Sequence, residues 1–169
     1  MMSTKTFKIL ALIIAILIFP VIAISGQYKC TRVTDGDTIT VTQNGFKSTI
    51  RLVGIDAPET SSKKHDPGQP FSQASTKYLV SLVLNKYVDI VSYGNDRYGR
   101  TLGIVYAYGK NVNLDMVKAV LAEVYRGKPA SGFDNGPYEN AEKEARVAGL
   151  GMWSLGDKYI SPKEWRKIH

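Results

Sequence analysis

Short stretches of β-branched and alternating residues fill the first third of the chain after a long apolar beginning. Between Tyr28 and Val41, Thr31, Val33, Thr34, Thr38, Ile39, Thr40 and Val41 dominate, interrupted by Asp35-Gly36. That composition around an Asp-Gly turn predicts a hairpin. Asn44-Gly45 is a second turn of the same kind. Beyond it Phe46, Ser48, Ile50 and Leu52 alternate with Lys47, Thr49, Arg51 and Val53, which predicts a third strand ended by Pro58. Thr60 to Pro70 has no apolar periodicity and is expected to be a mobile, solvated loop. Phe71, Ala74, Tyr78, Leu79, Leu82 and Val83 then recur at helical spacing, so an amphipathic helix is expected from about Pro70 to Leu84.

Two further strands follow, at Tyr87–Tyr93 and Leu102–Tyr108, with a turn at Gly109-Lys110-Asn111. Asn113 is expected to cap a second helix carrying Leu114, Val117, Val120 and Leu121 on one face. Pro137 opens a third, with Tyr138, Ala141, Ala145 and Ala148 as its stripe and Gly149 or Gly151 as its end. Ser161-Pro162-Lys163-Glu164 has the form of a capping box, predicting a last short helical turn through Trp165 and Lys167. Five strands with one helix between the third and fourth and two after the fifth predict an α+β fold, mainly β: a five-stranded OB-type barrel with three helices. A parallel α/β sheet would need helices between most of its strands, and the pattern lacks them.

The first residues form a separate unit. Lys5 and Lys8 precede an uncharged run from Ile9 to Ile24, with small residues at Ala23-Ile24-Ser25. This is the pattern of a secretory signal, residues 1–25, cut after Ser25. The alternative is an uncleaved membrane anchor, but the run is shorter than the ~20 residues of a spanning helix and is interrupted by Pro20. The expected protein is therefore exported, whether to the periplasm, the cell surface or the medium, with membrane association only if the segment is retained. Residues 26–169 form the single domain.

Losing residues 1–25 removes two lysines and no acid, which takes the net charge from +7 to +5. A basic domain suits a polyanion such as nucleic acid. The lone cysteine, Cys30, excludes an intramolecular disulfide and any Cys-rich metal site, and is expected to be a small buried or edge residue.

Three segments carry candidate chemistry: Asp35-Gly36-Asp37-Thr38, Arg51 to Thr60, and Asp96-Arg97-Tyr98-Gly99-Arg100. Taken alone, Asp-Gly-Asp is a turn, Arg51 a strand residue reaching solvent, and the third segment a basic turn. Together, at the ends of adjacent strands, they place acids and arginines where a site is built. Asp37 and Asp56 offer hard oxygens that suit calcium or magnesium; with only His65 and His169 beside the single cysteine, zinc is excluded. Glu59, three residues past Asp56, is placed to act as general base on a water, and Arg51 and Arg100 to neutralise charge that builds on a phosphorus centre.

In matching order, these three segments resemble the signatures of the thermonuclease, or staphylococcal nuclease-like, family. The resemblance spans about residues 28 to 155, also taking in Asn111-Val112-Asn113 and Met152-Trp153-Ser154, and leaves a short C-terminal extension from about residue 156. It implies an OB barrel with three helices and calcium-dependent hydrolysis of DNA and RNA to 3'-phosphate ends. By position, Asp37, Asp56 and the backbone carbonyl of Ala57 would hold the Ca2+, with Asp35 behind them. Glu59 would be the base, Arg51 and Arg100 would bind and stabilise the phosphate, and Arg97 and Tyr98 would lie against the substrate. The expected partner is DNA or RNA, bound by a monomer with no obligate protein partner. The rival expectation is a non-catalytic OB-fold nucleic-acid-binding module at the cell surface, which the retention of all the acids and arginines disfavours.

Overall fold

The computed structural model of the chain describes residues 27–61, 63 and 65–169. The expected signal at residues 1–25 lies outside the described residues. Among those described, no helix is long and apolar enough to cross a membrane.

Three strands, β1 (Tyr28–Val33), β2 (Thr38–Gln43) and β3 (Phe46–Leu52), form an antiparallel meander. Asn44 and Gly45 take φ of 50° and 83°, the left-handed pair that a tight two-residue hairpin requires, and this sets Gln43 opposite Phe46. A two-residue strand, β4 (Ile55–Asp56), follows, and then the helix α1 (Ser72–Val83). The next strand, β5 (Tyr87–Asn95), pairs with β1, and β6 (Thr101–Ala107) pairs antiparallel with β5. The barrel closes where β6 runs parallel to β3, with Ile50 beside Thr101, Arg51 beside Leu102 and Leu52 beside Gly103. Five strands thus make the expected closed OB-type barrel.

The remaining elements follow β6 in the chain. They are β7 (Lys110–Asn111), α2 (Val112–Lys118), β8 (Glu123–Val124) paired with β4, α3 (Gly136–Ala148), a 3₁₀ segment (Gly151–Lys158) and α4 (Pro162–Ile168). Ile39, Val41, Ile50, Leu52, Val88 and Val105 fill the barrel, and Leu79, Val83, Met116 and Val117 from α1 and α2 continue the same core. A smaller cluster of Val120, Ala145, Met152 and Trp153 lies under the 3₁₀ segment, with the Arg146 guanidinium 3.7 Å over the Trp153 ring. Cys30 is fully buried in β1, as expected.

Several local expectations are corrected. Asn111, and not Asn113, caps α2, its Oδ1 accepting from the Leu114 N–H at 3.0 Å. Asn113 is buried instead and joins three segments: its Oδ1 accepts from the Val105 N–H (3.0 Å), while its Nδ2 donates to the carbonyls of Val53 (2.9 Å) and Gly103 (3.0 Å). Either asparagine satisfies cap chemistry; what separates them is the seam between β3 and β6, which a long-range pairing creates. Val120 and Leu121 lie beyond the end of α2. In β3 the alternation governs burial only at Ile50 and Leu52, because Phe46 to Thr49 extend past the barrel seam and Phe46 is exposed.

The inward positions of α1 include Ser72 and Ser75. The Asp35-Gly36 turn packs there so closely that a Cβ on Gly36 would fall 1.9 Å from Ser75 Oγ, a fit that admits only small side chains. In α3 the buried positions are Tyr138, Glu142 and Ala145, with Ala148 exposed and Gly149 ending the helix at φ 59°. The segment from Thr60 to Pro70 is tied at its end: Gln69 is buried and bonded on both sides, and Ser61 Oγ donates to Asp66 Oδ2 at 2.7 Å.

Candidate active site

The acidic segments meet at one end of the barrel seam. Asp37 immediately precedes β2, and Thr38 stands opposite Arg51 in the β2–β3 ladder. The register therefore hands the Arg51 guanidinium to Asp37, with which it forms an ion pair, while Arg51 Nη2 donates to Asp56 Oδ1 at 2.6 Å. Both aspartates are buried, as two carboxylates can be only when each is paired and hydrogen-bonded. Asp37 also accepts from Thr38 Oγ1 (3.1 Å) and from the Ala57 N–H (2.8 Å), which fixes the Ala57 main chain against the carboxylate. Asp35 stands behind, its Oδ1 accepting from the Asp37 N–H at 3.0 Å. Burial pushes the Asp35 carboxyl above its ordinary range, and the Arg51 charge and the Thr38 hydrogen bonds only partly offset this.

Arg100 comes from the turn joining β5 to β6. Asp96 shapes that turn, its Oδ1 accepting from the N–H groups of Tyr98 (2.9 Å) and Arg100 (3.0 Å) and its Oδ2 from Arg100 Nε (2.7 Å). Burial raises the Asp96 carboxyl, but these bonds outweigh it and hold the group below its usual range. Tyr98 is exposed, with Arg97 donating to its hydroxyl at 2.6 Å and the Arg97 and Arg100 guanidiniums 4.7 Å and 5.5 Å from its ring centre.

Asp35, Asp37, Arg51, Ala57, Glu59, Arg97, Tyr98 and Arg100 all line one cavity of about 900 Å³, and Asp56 lies buried behind Arg51. Every residue expected from the sequence is thus brought to one place. Hard carboxylate oxygens and a neighbouring main-chain carbonyl are donors that fit calcium or magnesium, whose remaining positions water and phosphate oxygens commonly take. Among the described residues, no three His, Cys, Asp or Glu side chains form a ready-made cage.

Arg166 was not expected at the site. From α4 its Nη1 and Nη2 donate to Asp56 Oδ1 (3.1 Å) and Oδ2 (2.7 Å), and Nη1 also pairs with Glu59. Hydrogen bonding to Asp56 raises the Arg166 pKa above the ordinary arginine value. Trp165-Arg166-Lys167 shows only a basic helix end in sequence, and nothing local signals a contact more than a hundred positions away. Lys128 and Tyr125, from the segment after β8, also border the cavity.

Beneath it, Glu123 pairs with Asp56 across β4 and β8. Its Oε2 accepts from the Tyr159 hydroxyl at 2.7 Å, its Oε1 has no hydrogen-bond partner among the described residues, and burial pushes its carboxyl up. Glu142, also buried, accepts from the Val124 N–H at 3.0 Å and pairs with Arg126.

The comparisons with known proteins agree on one kind of relative. A family model described as "Staphylococcal nuclease homologue" matches residues 49–155. An "Uncharacterized endonuclease" of Haemophilus influenzae is 39% identical over 158 residues, covering 90% of this chain and 82% of its own. A protein of the same description from Escherichia coli O157:H7 is 40% identical over 161 residues, covering 94% and 97%. A "Micrococcal nuclease" of Shigella flexneri is 38% identical over 150 residues, covering 82% and 79%.

Proposed function

The chain belongs to the staphylococcal nuclease family and is a nuclease, a hydrolase whose substrate is nucleic acid; on that premise we propose that it is an exported, calcium-dependent endonuclease that cuts DNA and RNA to leave 3'-phosphate ends. One observation carries this reading. Two arginines from opposite sides of the barrel seam, Arg51 and Arg100, face a single cavity together with Glu59 and the Asp37 carboxylate.

In this mechanism Arg51 and Arg100 bind the non-bridging oxygens of the scissile phosphate, and their fixed guanidiniums meet the charge that grows there in the transition state. Glu59 takes a proton from the attacking water as its oxygen bonds to phosphorus. The bond from phosphorus to the 5'-oxygen breaks, that oxygen takes a proton from solvent and leaves as a 5'-hydroxyl, and the phosphate stays on the 3' side. Asp37, Asp56 and the Ala57 carbonyl would hold Ca2+, which when bound supplies positive charge to the phosphate and orients water. Asp35 keeps Asp37 in place through its main chain, and Arg97 and Tyr98 lie along the substrate. The protein works as a monomer.

The test is cleavage of single-stranded DNA, double-stranded DNA and RNA by the purified protein with calcium, with magnesium and with a chelator. Cleavage that calcium restores, leaving 3'-phosphate ends, supports the reading. Binding without cleavage under every condition overturns it in favour of a binding module. Export is tested separately: the N-terminal mass of protein recovered outside producing cells should begin at Gly26, and retention of Met1–Ser25 would make the segment an anchor.

A further inference from the structure

Glu59 is held from two directions, directly by the C-terminal helix and through Gln69, which the residue just before that helix holds. Its carboxylate pairs with Arg166 of α4. Its main chain is held by Gln69: the Glu59 N–H donates to Gln69 Oε1 and the Gln69 N–H to the Glu59 carbonyl, both at 2.9 Å. Gln69 is buried and completes the connection by donating from Nε2 to the carbonyl of Ile160, 2.7 Å away, just before α4. So the side chain of Glu59 is held directly by one end of this short segment and its backbone indirectly, through Gln69, by the other.

That segment is itself anchored. Ser161 and Glu164 form a complete capping box, and Lys163 Nζ donates to the Arg126 carbonyl at 3.3 Å. The Arg166 guanidinium is oriented by both oxygens of Asp56, a planar two-point grip that leaves Nη1 aimed at Glu59. Glu59 needs such a grip. It follows Pro58 on a connecting segment and is partly exposed, and a long flexible carboxylate there has many rotamers of which only a few face the cavity. Residues 160–166 lie outside the stretch that the family model matches.

We propose that Arg166 is a positioning residue for the proposed base: it holds the Glu59 carboxylate beside Asp56, and α4 is a wall of the active site. This rests on the nuclease reading above. The alternative role is that of a counter-ion for Asp56 alone, and the two differ in whether the effect passes through Glu59.

The experiment measures kcat and KM on one oligonucleotide for the wild type, Arg166→Ala, Arg166→Lys, Glu59→Gln and the double variant Arg166→Ala/Glu59→Gln, with thermal unfolding of each. Arg166→Ala should lower kcat by about 10²-fold, as misplacement of a reacting group does, with KM changed by less than about threefold. Arg166→Lys should recover part of that loss. Once Glu59 is Gln, removing Arg166 should cost less than about threefold more, since residues acting as one unit are not additive. Full kcat in Arg166→Ala, or losses that multiply in the double variant, overturns the proposal. If Arg166→Ala does not fold, Arg166→Gln, which keeps a donor and most of the stem, carries the same comparison with the same outcomes. A wild type that does not cleave removes the nuclease reading and this proposal with it.

Discussion

Arg51 stands beside Leu102 in the parallel pairing that closes the barrel, which brings it to the strand that Arg100 immediately precedes. The two arginines share the cavity but are held differently. Arg51 is largely buried between Asp37 and Asp56, whereas Arg100 pairs with one carboxylate among the described residues, that of Asp96, and is more exposed. Arg51→Ala should therefore damage the fold as well as the reaction. It strips the guanidinium from a buried Asp37, and about 3 kcal/mol of stability should be lost, the low end of the range for breaking a buried pair because Arg166 still covers Asp56. Urea denaturation measures this.

Arg100→Ala should separate the two effects. Its pair with Asp96 is partly solvated, so the stability change should stay below about 1 kcal/mol. Cleavage should nevertheless fall by about 10² to 10³-fold, the typical effect of removing one preorganised donor from a transition state. Unchanged turnover with an intact fold would remove Arg100 from the mechanism.

The barrel was legible in the sequence and its seam was not. Asn44-Gly45 announces a hairpin because only certain residues accept two successive positive φ angles, and Ser161 with Glu164 announces a cap because both partners lie within one turn. Asp37, Arg51, Glu59 and Arg100 could be picked out because they sit at strand ends in the order of a known family. Asn113 and Arg166 could not. Each does its work by contacts to residues 60 or more than 100 positions away, and each occurs in a local context, a helix start and a basic helix end, that explains it without any such contact.

Asn113→Ala should show what that buried carboxamide contributes. It would leave the Val105 N–H and the Val53 and Gly103 carbonyls without their side-chain partner, and a loss of roughly 2 to 4 kcal/mol is expected. Amide exchange at Val105 should accelerate more than in the far half of β2. Equal exchange at both would deny the carboxamide its role in holding the seam.

Tyr138 offers an alkaline prediction. Burial, with a smaller opposing contribution from its hydrogen bond with Asn111, pushes its phenol up to about 12 from an ordinary value of 10.0. The folded state resists losing this proton while the unfolded chain does not. Stability should thus be unaffected by this group below pH 10 and decline as pH rises from about 10 toward 12. In Tyr138→Phe the urea midpoint should fall less steeply over that interval, and an identical slope would contradict the assignment.

The parallel pairing of β3 with β6 also bears on how the protein comes to life. Ile50 and Thr101 pair across the whole of α1 and β5, so this contact is non-local and has to offset the entropy of closing that stretch of chain. Because the same closure brings Arg51 beside the strand that Arg100 immediately precedes, the β1–β3 meander by itself carries Asp35, Asp37 and Arg51 without the second arginine. Closure of the barrel and the approach of the two arginines are therefore one structural event, the same three register pairs between β3 and β6 serving both.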